Sequence, residues 1–133
     1  MTETQHEDPR QTDRDHVAGR SLPVVTDDAM RERLGKSRPY TLVMLRRTAR
    51  FIRPDVDATI WEHGRRNMAL AEDGVLAVVC PITDESEWSG VGIFAASEQE
   101  ADEIMAHDPG VLAGIFTYEI HPVRGFPGAS LPA

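Results

Sequence analysis

HDPGVLAGIFTYEIHP, residues His107–Pro122, reads as the end of a helix, a tight Asp-Pro turn and then a strand. Pro109 has no backbone N–H with which to continue a helix and it restricts the residue before it, so Asp108 stands where one element stops. Gly110 and Gly114 loosen the backbone on either side of Val111 and Leu112, and the run Ile115–Ile120 is mostly β-branched or aromatic, as a strand prefers. A carboxylate at such a junction is better placed for chemistry than one on an exposed helix face.

Working back from this stretch, Ser97 with Glu100 three residues later forms a capping box for a helix ending near His107. Gly90–Ala96 precedes it as a strand, and Pro81–Ser89 is a polar loop. Val75–Cys80 is another apolar strand. Before it lies a long helix that opens at Asp55 or Asp57, runs to about Glu72 and stops at Gly74. Its expected packed face is Val56, Ile60, Gly64, Met68 and Ala71, widened by Trp61. Tyr40–Arg47 is the first strand; Leu42–Leu45 is continuously apolar, so both of its faces should be covered.

The order is therefore β-α-β-β-α-β, an α+β ferredoxin-like plait with an antiparallel sheet. Right-handed crossovers put both helices on one face. The other face then needs cover, from a second subunit or from the N-terminal arm; a homodimer joined sheet to sheet is the simpler solution, since two-fold symmetry covers both open faces at once. The domain spans residues 38–124. Residues 1–37 form an N-terminal arm, polar and expected to be unstructured to about residue 20, then a short helix capped by Asp27 or Asp28 and stopped by Gly35. Residues 125–133 are a Pro/Gly-rich tail.

The totals narrow the function classes. The 133 residues suit one domain, and a net charge of −8 argues against nucleic acid as a partner. No run approaches the ~20 apolar residues of a membrane span, and the first residues lack the apolar core of a signal peptide. Cys80 is the single cysteine, which favours a reducing, cytoplasmic setting. His6 and His16 lie beside acids, but their spacing matches no metal site, and no set of three ligands occurs elsewhere at useful spacing. Nucleotide, zinc-protease and serine-hydrolase motifs are absent.

His63 borders the packed face of the long helix, three residues after Ile60 and four before Asn67. An imidazole facing a cleft there can exchange protons near neutral pH, with Asp108 orienting it; the alternative is a surface or capping histidine. Glu119 and His121 alternate on one face of the last strand, opposite Phe116, Tyr118 and Ile120, and belong either to a ligand-lined seam or to the rim. Arg46, Arg47 and Arg50 cluster at the end of the first strand, where they either attract an anionic substrate or pair with acids such as Asp55.

The pieces TLVMLRR, EHGRRNMALAEDGVLAVVCP, GVGIFAAS and HDPGVLAGIFTYEIHP together resemble the YciI-like (YCII-related) family of the dimeric α/β-barrel superfamily. Members carry a histidine in the first helix and an aspartate in a DP-hhAGhh signature, with h apolar, before the last strand; these fall on His63 and Asp108. The resemblance implies a dimer whose two sheets form a barrel, a His–Asp pair as catalytic residues, a small-molecule ligand, and no cofactor or metal. In the same superfamily, a related member removes chloride from a hydroxylated aromatic ring and muconolactone isomerases move protons on small rings. The expected activity is thus cofactor-free acid–base chemistry on a small organic acid or ring compound. Substrate contacts are unassigned, with Arg46, Glu119 and His121 as candidates. The competing expectation is a non-catalytic small-molecule-binding protein of the same fold. The arm before Arg38 lies outside the match.

Overall fold

The computed structural model describes residues 15–133, which divide into two units, residues 15–35 and 36–133. Readings placed on residues 1–14, His6 among them, lie outside the described residues.

In the first unit, β1 (His16–Val17) and β2 (Arg20–Ser21) form a small antiparallel hairpin where the sequence suggested an unstructured tail. Ala18 and Gly19 both take positive φ, 50° and 76°, the turn geometry that matches strand twist in a two-residue hairpin. Helix α1 (Asp27–Lys36) follows, with the hydroxyl of Thr26 accepting from the Ala29 amide.

The second unit is the plait. Its elements are β3 (Arg38–Arg47), α2 (Asp57–Asp73), β4 (Leu76–Pro81), β5 (Trp88–Phe94), α3 (Glu98–Ala106), α4 (Pro109–Leu112) and β6 (Phe116–Gly125). The sheet order is β4-β5-β3-β6, with every pair antiparallel, and the helices pack on one face. This is the ferredoxin-like arrangement expected from the element order.

Register assigns the faces, because cross-strand partners point the same way. Thr41, Val43 and Leu45 are buried on the helix side, with Leu76, Phe94 and Phe116 from the other strands. Val56, Ala101, Met105 and Ile115 complete that core. Each large apolar side chain so buried contributes about 1.5–3 kcal/mol. The opposite face carries Leu42, Met44, Val78, Cys80, Val91 and Ile93, all half-buried, with Thr117, Glu119 and His121 exposed beside them on β6.

Three local features depart from the sequence reading. Helix α2 turns Ile60, His63, Gly64, Asn67 and Leu70 inward, while Trp61 and Ala71 are exposed and Met68 stays largely exposed at the edge of a cavity, so the packed stripe is rotated toward His63 from the expected one. The Asp-Pro turn is the start of a one-turn helix, because Pro109 sits at N1, where a missing N–H costs nothing. Strand β6 continues through Pro122 to Gly125, into the segment read as tail. It is an edge strand bonded to β3 alone, and an edge tolerates proline. Among the described residues no helix is long and apolar enough to cross a membrane.

Candidate active site

Asp108 is the N-cap of α4. Its Oδ2 accepts from the amides of Gly110 at 2.9 Å and Val111 at 3.2 Å. This satisfies two donors that a helix start leaves without partners. The residue is fully buried. Gly110 is required beside it: a Cβ there would overlap the Phe116 ring and stand 3.1 Å from Asp108 Oδ2. The other oxygen, Oδ1, lies 2.6 Å from Nδ1 of His63, which α2 brings across from 45 residues away.

These contacts set the tautomer. Asp108 acts as acceptor on both oxygens, so His63 Nδ1 is the donor. In the neutral ring Nε2 then holds the lone pair. Nε2 lies 3.2 Å from Nδ2 of Asn67, one helical turn on, and the amide donates to it. The imidazole is 13% exposed, and its centroid lies 5.0 Å from that of the Phe116 ring.

His63 and Asn67 line a cavity of about 340 Å³ between α2 and the sheet, a volume suited to one small ring compound. Val43, Leu45, Ile60, Leu76, Val79 and Phe94 give it apolar walls; Ser89, Arg47 and Arg53 are polar additions. Apolar walls of this kind strengthen charge interactions beside them.

The remaining sequence candidates lie elsewhere. Arg46 is on the open face, its guanidinium 4.4 Å from the Trp88 ring centroid and 3.7 Å from Glu87, and it does not line the cavity. His121 and Glu119 pair with each other at 3.2 Å on the exposed edge, also off the cavity. Arg50 lies against Gly114. The sequence reading gave no role to Asn67, Phe51 or Phe116. The i to i+4 spacing signalled Asn67; the aromatic pair is assembled by β6 register and a loop, which no local pattern reveals. No group of three His, Cys, Asp or Glu side chains is placed to hold a metal among the described residues.

No family model matches the chain, and no curated protein matches it. Among solved structures, it is similar to the 5-chloro-2-hydroxyhydroquinone dehydrochlorinase of Burkholderia phenoliruptrix AC1100 in complex with 2,5-dihydroxybenzoquinone. The identity is 18% and the TM-score 0.45, over 62% of this chain and 90% of that one.

Proposed function

We propose that this chain is a YciI-like, cofactor-independent acid–base enzyme acting on a small organic acid or ring compound, of the isomerase, lyase or dehalogenase type. The observation that carries the reading is the 2.6 Å contact between His63 Nδ1 and a fully buried Asp108, at the wall of an apolar cavity. In the mechanism, Nε2 of His63 takes a proton from an acidic C–H or O–H of the substrate. The imidazolium formed is stabilised by Asp108, which stays a carboxylate. The electron pair left on the substrate then shifts. In an isomerisation His63 returns the proton to a different atom; in an elimination the leaving group departs with its electron pair and the proton passes to solvent.

One observation favours a second reading, a binding protein that turns nothing over. The Asn67 amide occupies Nε2, the atom that must meet the substrate. In the enzymatic reading the amide rotates away on binding, or presents its oxygen to the protonated ring. The two readings separate on a panel of small hydroxylated and halogenated ring acids. Turnover of any member that drops at least a hundredfold in His63→Ala supports the enzyme. Saturable binding with no turnover supports the binding protein.

A homodimer belongs to the same proposal. The six apolar side chains of the open face are half-buried and lie opposite the helices. A second copy applied sheet to sheet covers them, with a gain of about 1.5–3 kcal/mol for each large side chain fully removed from water.

A further inference from the structure

The cavity that holds His63 has a second polar end. Along its wall the imidazole lies 5.0 Å from the Phe116 ring, Phe116 lies 5.7 Å from the Phe51 ring, and Phe51 lies 4.9 Å from the guanidinium of Arg47, all to ring centroids. Arg53 stands over the same Phe51 ring at 6.0 Å. Register delivers Arg47 to this place, since it pairs with Phe116 at the end of the β3–β6 ladder.

Arg47 is under-used by the protein. Its Nε is buried without a hydrogen-bond partner, and Nη1 reaches only the Ser86 carbonyl, at 3.5 Å. The neighbouring acids are committed elsewhere. Glu87 pairs with Arg46 at 3.7 Å and Asp57 with Arg53 at 3.5 Å; Asp84 accepts from the amide and hydroxyl of Ser86, and the Arg47 charge is the smallest of the influences on it. A buried guanidinium donor facing an apolar cavity is costly unless something accepts from it. Its planar fork matches a carboxylate, which takes two parallel hydrogen bonds.

We propose that Arg47, with Arg53 beside it, is the anion-binding end of the cavity. Its ligand is a small ring compound bearing one carboxylate: the carboxylate sits on Arg47, the ring lies along Phe51 and Phe116, and the far edge is presented to His63. This deepens the proposed function and rests on the same cavity, but it concerns recognition rather than proton transfer.

Benzoate and benzamide share shape and differ in charge, so calorimetric titration of the two isolates the anion contact. The wild type is expected to bind benzoate about tenfold more tightly than benzamide, the scale of one charge-assisted hydrogen bond. Arg47→Met removes that preference, so that benzoate and benzamide bind equally. His63→Ala keeps it, so the anion site stands or falls apart from the proton-transfer reading. Independently of any variant, benzoate but not benzamide shifts the Nε–Hε resonance of Arg47 in the wild-type protein. Equal affinities, a preference that survives Arg47→Met or vanishes in His63→Ala, an unmoved Arg47 resonance, or no saturable binding of either probe would overturn the assignment.

Discussion

The Phe116 ring lies 5.0 Å from the His63 imidazole, centroid to centroid, and the same ring fills the space over the α-carbon of Gly110. One core residue thus sets the position of the imidazole and dictates glycine in the loop that aims the carboxylate at it. Packing and chemistry are coupled at this point.

Gly110→Ala is therefore expected to damage both. The added methyl displaces Phe116 and crowds Asp108 Oδ2, which calls for a loss of about 1–3 kcal/mol on urea unfolding. The His63 ring signals in proton NMR shift with it. An unchanged unfolding midpoint would mean that the ring yields freely.

Asp108 has two separable duties, capping α4 and holding His63. Asp108→Ala ends both and costs about 1–3 kcal/mol, because two amides and an imidazole N–H lose their acceptor. Asp108→Asn keeps an oxygen for the cap, so its stability loss is smaller. Both variants lose activity, by about 10²–10⁴-fold, since neither holds the imidazole with a carboxylate. A comparison of melting temperature and rate in the two variants checks this separation.

Much of this arrangement was legible in the chain. Apolar runs at Leu42–Leu45 and around Val78, with glycine stops and the Ser97–Glu100 cap, gave the element order. The DP-hhAGhh signature pointed to Asp108. Other features were not local. Gly125 looked like the start of a tail because nothing nearby says that β6 is an edge strand that runs on through Pro122. Trp61 and Met68 looked like core because helical spacing does not say where around the helix the packed stripe is centred. Arg46 and Arg47 are adjacent and chemically alike, yet strand alternation sends one to the open face and the other to the cavity, and only the register decides which.

Tyr118 ties β6 to α3. Its hydroxyl donates to Asp102 Oδ1 at 2.6 Å, and burial, then the hydrogen bond to Asp102 and its charge, raise the phenol pKa to about 12. Because the folded value lies above the unfolded value of 10.0, this stability is whole below pH 10 and is lost as pH climbs toward 12. Tyr118→Phe is expected to lower stability at neutral pH by about 0.5–1.5 kcal/mol and to flatten the decline between those two pH values. Urea titrations across that range provide the check.

The open sheet face predicts the assembly. Sedimentation at micromolar concentration should give a dimer, and Met44→Glu, which puts a charge in the centre of the apolar patch, should give a folded monomer. A wild-type monomer would show that the face is stable without a second copy.

The central claim is that His63 moves a proton to and from carbon or oxygen of a ligand in this cavity. Solvent-deuterium incorporation tests it most directly, because exchange reports proton transfer even when no net product forms. Small ring carboxylic acids with an acidic C–H are incubated with the protein in deuterium oxide and followed by NMR. The account predicts enzyme-dependent exchange at one carbon of at least one compound, reduced a hundredfold or more in His63→Ala. Exchange at the same rate in His63→Ala, or none above buffer with any compound that binds, would contradict it.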